Sequence, residues 1–527
     1  MTERWAVVSL SLIVLYLTLF YRLGHLPFVG SDEPRYARIA EEMNLSGQYV
    51  TPTLNRVPWL EKPPLLFWLE AASFRLFGVS EWAARLPVAL LAAATLLASS
   101  FLAYRMAGPP AAVLAFLILS TSGLFYTYAR AASTDMPLVA MLSLALIAAQ
   151  LGSHSSKALW GALSGLALGL AVLAKGPVAL VLFSGILGVH CLILQRYPWN
   201  WRQTLLGVLG FFGLALPWFW LVWLENGYDF VATFWLNHHL ARFLTGLHHH
   251  VQPFWYFLPV VLIGFFPWVV FLATSVARLW ELRLQPKHEK DRMILFLWLW
   301  VLVPLLFFSL SQSKLAGYAL PIFPALALLA ALEWDRVLSG GGVGPWVMKF
   351  QLVSLAVLAV GISIVLPLGF HLAYASTRVG LYLSFPFLAC LLWGLQQWRQ
   401  GHAIQLFLSL VVGMTILAGL SYWKAAPVVA SYHSARALAL RAGPLISDTE
   451  PLVLYRYFHH TATYYTGYRT TREAIPDPGS LHSYLSAHSQ HKYTILTQQE
   501  GWRDLESKFN PLLVAHKGNL YLAQIER

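Results

Sequence analysis

Six charged side chains stand in "GSDEPRYARIAEEM", residues 30–43, after an almost wholly apolar stretch over residues 5–21. In a chain with only 11% charged residues, that concentration asks for a chemical explanation. Asp32 with Glu33 has the makings of a general base. A carboxylate partly withdrawn from water accepts a proton from an acceptor hydroxyl, while cations nearby stabilise charge on a leaving group. The structural alternative is that Asp32 caps the helix that follows it.

Four further constellations put charge where an apolar segment meets a surface: "WLEKPPL" (59–65), "ASTDMPL" (132–138) with "AKGP" (174–177), "NHHLARF" (237–243) and "SQSKLAGYALP" (311–321). Lys62, Lys175, Arg242 and Lys314 are candidate ligands for a phosphate or pyrophosphate, Arg as a bidentate fork and Lys as a point charge. Any one of them alone is accounted for by snorkelling to an interface. Four on one face argue instead for a bound anion, and Tyr318, one turn from Lys314, adds a hydrogen-bond donor. The pair His238–His239 and the run "HHH" (248–250), with Glu61 in a separate loop, form a candidate metal set, though no helical HxxxH spacing supports it. Interfacial histidines without metal are the plainer reading.

These residues need a scaffold, and the composition says which. The 527 residues are 57% hydrophobic with mean hydropathy +0.58, which excludes an ordinary soluble domain. Apolar windows recur around 5–21, 83–104, 109–128, 136–152, 158–174, 177–195, 204–223, 255–277, 293–310, 317–334, 347–370, 379–397 and 403–422, predicting about thirteen helical spans. The first window lacks a small-residue cleavage site and reads as a retained helix. The segment 277–292 carries five basic residues and is expected on the cytoplasmic side, as are 195–203, 333–346 and 396–402. Alternation then leaves the N-terminus cytoplasmic and places 22–80, 129–135, 224–254, 311–318 and the tail outside. Those outer segments, with Lys175 in the short connection between the windows 158–174 and 177–195, nevertheless hold Arg35, Arg38, Arg56, Lys62, Arg75, Arg130, Arg242 and Lys314, against the insertion bias, which again implies an anion held there. The net charge of +12 agrees in sign.

Two parts follow: a membrane part over 1–423 and a polar tail over 424–527. In the first outer loop, Tyr36, Ile39, Ala40 and Met43 fall on one helical face, and residues 62–78 repeat the design after a proline pair, predicting helices that lie in the interface. In the tail, 431–442 has helical spacing, while 451–458, 493–497 and 511–525 read as strands, the last folded at "KGN". A small α/β domain on the outer face is expected. Cys191 and Cys390 lie inside predicted spans and read as buried apolar residues. "GGGVG" (340–344) follows no strand and is a flexible connection rather than a phosphate cradle.

Taken in order, "GSDEPRYARIAEEM", "LEKPPLLFWL", "ASTDMPL", "AKGP", "NHHLARF", "HHHVQPFWYFLP" and "SKLAGYALPIFPALALL" resemble the ArnT-like branch of the integral-membrane glycosyltransferases of C-type fold, relatives of the protein O-mannosyltransferases, over about residues 10–335. The resemblance implies an all-α polytopic membrane protein of thirteen spans with a periplasmic C-terminal domain. It implies transfer of a sugar from an undecaprenyl-phosphate-type carrier to a periplasmic acceptor at the bacterial inner membrane, lipid A being one such acceptor and a protein side chain another. Asp32 would be the catalytic carboxylate and Asp135 a support near the sugar. Lys62, Arg242 and Tyr318 would hold the carrier phosphate, with Lys175 and Arg35 lining the same cavity. Glu61 and His238 would correspond to a zinc site.

A carrier that brings its own leaving group requires neither nucleotide nor Mg²⁺, so no cofactor is demanded. The expected partners are the lipid-linked donor, a lipid or glycan acceptor and membrane lipids, with no nucleic acid. A transporter or flippase of an anionic glycolipid is the rival reading. It would show two repeated halves and charges near the bilayer midplane; here the charges fall at span ends.

Overall fold

The computed structural model describes residues 2–526 apart from 198, 242–243, 245–250, 283–285, 287, 342–343 and 489–491. Every apolar window falls on helix. Among the described residues eight helices are long and apolar enough to cross a membrane, or nine if the bent pair Phe254–Gly264 and Trp268–Glu281 is one span. Trp5–Phe20, Pro109–Ser120, Leu159–Lys175 and Val178–Leu194 are apolar but shorter, so the expected thirteen full-length spans become eight or nine with four short apolar helices beside them.

The departures have local causes. The window 109–128 breaks after Ser120, where Thr121 Oγ1 donates to the Leu117 carbonyl at 2.5 Å and Ser122 Oγ to that of Ile118 at 2.7 Å; hydroxyls at that density offer the last carbonyls an alternative to the helical ladder. The window 255–277 bends by 108° beside Pro267, which has no N–H to give. The window 204–223 instead runs long, as Trp201–Ala241, started by a capping box between Asn200 and Gln203 and bent at Gly227. The outer segment expected over 224–254 is therefore helical in its first half.

Close helix approach fixes the scaffold near Lys175. A Cβ on Gly161 would stand 2.0 Å from the Gln203 carbonyl oxygen, and one on Gly165 would stand 1.9 Å from that of Gly207. Only hydrogen at these two positions lets Leu159–Lys175 lie against the helix starting at Trp201, a small-residue contact four apart of the kind that membrane helices use.

In the loop over 22–80 the two helices expected at the interface are Asp32–Ser46 and Leu65–Phe77. Tyr36, Ile39, Ala40 and Met43 are all buried, as their spacing requires. Between the helices a short hairpin, Thr53–Leu54 with Val57–Pro58, is held by Glu42. Its carboxylate accepts from Arg38 at 2.7 Å, Thr53 Oγ1 at 2.6 Å, and the backbone N–H groups of Asn55 and Arg56 at 2.9 and 3.1 Å.

Glu70, on the second loop helix, is fully buried and neither of its oxygens has a hydrogen-bond partner among the described residues. Burial, with the nearby Glu33 charge adding to it, raises this carboxyl well above its ordinary 4.5. The folded state holds a proton here that the unfolded chain releases above about pH 4.5, so this group's contribution to stability falls as pH rises through neutrality. Glu70→Gln is expected to flatten that decline: its apparent Tm should gain on the parent's between pH 5 and pH 8. Parallel Tm curves for the two proteins would show Glu70 charged in the fold.

The tail folds as a four-stranded sheet in the order Val453–Tyr455, Lys492–Gln498, Leu520–Glu526, Leu512–Lys517, the first pair parallel and the others antiparallel. The hairpin at "KGN" is present. The predicted helix 431–442 is two, Ala426–His433 and Arg436–Ala442. Alternate residues feed two cores, Leu454 and Leu522 on one face and Tyr455 and Ile525 on the other, as expected of a sheet covered on both sides. The tail also docks on the first loop. Tyr465 accepts from the Phe28 N–H at 2.8 Å and donates to Glu81 at 2.7 Å, and the Arg38 guanidinium lies 4.1 Å from the centre of the Tyr468 ring.

Candidate active site

A cavity of about 1040 Å³ opens where the loop over 22–80 meets the ends of the helices. Asp32, Glu33, Arg35, Glu61, Lys62, Asp135, Lys175, His238 and Tyr318 all line it, although they come from six separate stretches of chain. Asp32 is the first residue of its helix. Ser31 occupies the cap position without a side-chain hydrogen bond, so Asp32 does not cap; it gains only from the positive helix end. Its side chain is half exposed and ion-paired with Arg35, wetter than a base partly withdrawn from water. Arg35 in turn lies beside the Trp59 ring, 6.0 Å from its centre.

Asp135 begins its helix and accepts from Lys175 Nζ at 2.5 Å. The same ammonium sits 5.0 Å from the centre of the Tyr318 ring, within range of a cation–π contact. Gly317 makes this packing workable, since a Cβ there would stand 2.8 Å from both Asp135 Oδ1 and the Tyr128 hydroxyl. Gly317→Ala is expected to displace Asp135 and lower kcat/KM for transfer by about tenfold or more, as misplacement near 1 Å does, while the protein keeps its detergent-solubilised Tm within a few degrees. Unchanged kinetics would separate Asp135 from the reaction.

Glu33, grouped with Asp32 as a candidate general base, is turned to a different use. It is buried, and its oxygens accept from Arg85 Nε and Nη2, both at 2.7 Å, from the Ala132 N–H at 3.0 Å and from the Val29 N–H at 3.1 Å. Its lone pairs are committed to the protein, and it anchors the loop that carries Asp32. Lys314 likewise departs from expectation. It does not border the cavity; its ammonium donates to the backbone carbonyls of Gln252 at 2.9 Å and Ser311 at 2.5 Å. Arg242 and the run 248–250 lie outside the described residues.

Glu61 Oε1 and His238 Nε2 approach to 3.8 Å. Among the described residues no third His, Cys, Asp or Glu joins them, short of the three protein ligands of a catalytic zinc. Among the described residues the donor set therefore fits a metal only in part.

Arg130, expected only among the surplus cations, also belongs to the site. It lines the cavity and is 6% exposed. Its guanidinium lies 3.6 Å from the centre of the Tyr422 ring and donates to the carbonyls of Thr18 and Tyr21, with no carboxylate partner among the described residues. Burial lowers its pKa to about 10, with the like charge of Arg85 acting the same way and Tyr422 opposing. The available signal was a cation in the short connection just before Asp135. A second, largely apolar chamber of about 470 Å³ shares Lys62, Lys175, His238 and Tyr318 with the first and is walled by Val178, Val181, Leu236 and Phe308.

On the tail side, His460 lies near Arg35 and Asp32. Burial, and then the Arg35 charge, push its pKa down to about 4, so it is neutral at physiological pH.

Residues 61–223 match the pattern of the family described as dolichyl-phosphate-mannose-protein mannosyltransferase. Over 421 residues the chain is 30% identical to the undecaprenyl phosphate-alpha-4-amino-4-deoxy-L-arabinose arabinosyl transferase of Pseudomonas aeruginosa (strain UCBPP-PA14), covering 76% of this chain and 69% of that one. The protein of the same name from Erwinia tasmaniensis is 31% identical over 415 residues, with 73% and 72% covered. The fold is similar to the crystal structure of ArnT from Cupriavidus metallidurans bound to undecaprenyl phosphate, with TM-score 0.80, 24% identity, and 99% and 98% of the two chains covered. With its polar cavity set beside an apolar chamber at the ends of membrane helices, the chain belongs to the undecaprenyl phosphate-alpha-4-amino-4-deoxy-L-arabinose arabinosyl transferase family of membrane glycosyltransferases.

Proposed function

We propose that the chain moves a sugar from an undecaprenyl-phosphate-type donor to an acceptor on the periplasmic face of the bacterial inner membrane, with the N-terminus cytoplasmic and the tail periplasmic. The names of its relatives support 4-amino-4-deoxy-L-arabinose as the sugar, and lipid A is the acceptor that this reading takes. The observation that carries it is the shared wall of the two chambers: Lys62, Lys175 and Tyr318 stand between the polar cavity and the apolar one. A prenol tail fits the second, a sugar the first, and a phosphate the cations at their junction. Carboxylates of the polar cavity, Asp32 and Glu61 among them, suit an amino sugar that carries an ammonium.

Reaction is a single displacement. The acceptor oxygen bonds to the anomeric carbon as the bond to the carrier's phosphate oxygen breaks, and that electron pair leaves with the polyprenyl phosphate. The configuration inverts. Lys62 and Lys175 neutralise charge on the departing phosphate, and Asp135 orients Lys175. Where the acceptor is a hydroxyl, Asp32 receives its proton; where it is an ionised phosphate oxygen, Asp32 positions groups without accepting one.

Arg130 is the natural further contact for the donor phosphate, because a buried guanidinium without a carboxylate gains most from an incoming anion. Reconstituted protein given radiolabelled polyprenyl-phospho-sugar should release free polyprenyl phosphate only when acceptor is present. Arg130→Gln should raise the donor KM about tenfold or more, the worth of a charge-assisted hydrogen bond. Label that crosses the bilayer without cleavage would favour a transporter, and an unchanged donor KM would remove Arg130 from the phosphate site.

A further inference from the structure

Three segments that border the catalytic cavity lead at their far ends to a second cavity. Arg85 borders the first and Arg105 the second on Glu81–Ala107. Asp135 and His154 stand in the same relation at the two ends of Asp135–Ser153, as do Tyr318 and Asp335 on Ala316–Leu338. About 17–20 residues at 1.5 Å each separate the members of each pair, placing the cavities about 25–30 Å apart. That distance is close to the thickness of a bilayer's hydrocarbon core. The second cavity therefore lies at the level of the opposite membrane surface.

Its volume is about 650 Å³, and Arg105, Arg278, Lys290 and Arg336 all line it. Of its acidic residues, Glu289 is paired with His154 at 2.9 Å, and the His154 ring also meets Gln150 at 3.1 Å. Asp335 remains to face the cations. Among the described residues no ion pair engages Arg105, Arg278 or Lys290. The rest of the wall is apolar, with Leu102, Met106 and Ile294 beside the cations. An excess of basic groups next to hydrocarbon, at the depth of lipid headgroups, suits one chemistry in particular.

We infer that this second cavity binds the phosphate headgroup of an anionic phospholipid from the leaflet opposite the catalytic cavity. Arg105, Arg278 and Lys290 take the phosphate, and Leu102, Met106 and Ile294 take the first methylenes of the acyl chains. A free phosphate ion would use the cations and leave the apolar wall without a role.

The test uses the full chain, delipidated in detergent and titrated with phosphatidylglycerol, phosphatidylcholine or inorganic phosphate under native mass spectrometry. One phosphatidylglycerol should be retained saturably. The double substitution R105Q/K290Q should weaken its binding about 30-fold, from two lost surface cations. Ile294→Trp, which fills the cavity and leaves every charge in place, should weaken it comparably, and phosphatidylcholine should not compete. Both variants should bind polyprenyl phosphate like the parent, which separates this site from the catalytic one and shows that they fold. Equal retention of phosphatidylcholine, wild-type phosphatidylglycerol binding in both variants, or inorganic phosphate bound where phosphatidylglycerol is not, would each overturn the proposal.

Discussion

Asp32→Asn should lower kcat for sugar transfer by about 100-fold or more, the usual worth of a positioned general base, with the donor KM little changed. The side chain is half exposed at the first turn of its helix, and asparagine preserves its shape, so a folding defect is not expected. Comparing acceptors separates its two roles. Against a hydroxyl acceptor the full loss should appear; against an acceptor that attacks through an ionised phosphate oxygen only the positioning share is lost, and the drop should be smaller. Retention of most of the parental rate on both acceptors would remove Asp32 from the chemistry.

The second large effect is on stability. Arg85→Leu leaves the Glu33 carboxylate buried without its guanidinium, and breaking such a pair costs about 3–5 kcal/mol. Arg85 also donates to the Leu23, Leu26 and Pro27 carbonyls at 3.1, 2.8 and 2.9 Å, so the loop that leads to Asp32 should loosen as well. Detergent-solubilised protein should unfold several degrees earlier and lose activity in step. Adding Glu33→Leu to Arg85→Leu should recover part of the loss, because the remaining charge is then gone; groups in contact do not act additively. A single variant as stable as the parent would mean that the pair is not what holds the loop.

The parts of this architecture that a membrane imposes were legible in the sequence. Apolar windows mark the helices because lipid demands them. Charges at window ends mark the site because the bilayer makes them costly elsewhere, and Asp32, Lys62, Asp135, Lys175 and Tyr318 do meet in one cavity. What pairs across distance was not legible. Nothing near Glu33 announces that Arg85, 52 positions on, will take its carboxylate, so an acid beside Asp32 looked like a second reactive group. Lys314 misled for the opposite reason: its partners are backbone carbonyls, which have no sequence signature at all. Arg130 was visible only as surplus charge, since its lack of a carboxylate partner among the described residues is a property of its surroundings. Helix ends were obscured where hydroxyls or proline interrupt an apolar run, at 120–122 and at Pro267.

Tyr465 meets the backbone of Phe28 across 437 positions of chain. The ribosome must deliver all the chain between them before that contact exists. Docking of the tail on the loop that carries Asp32 consequently follows synthesis of the helices between them, so a nascent chain already threaded through its bilayer still lacks that contact.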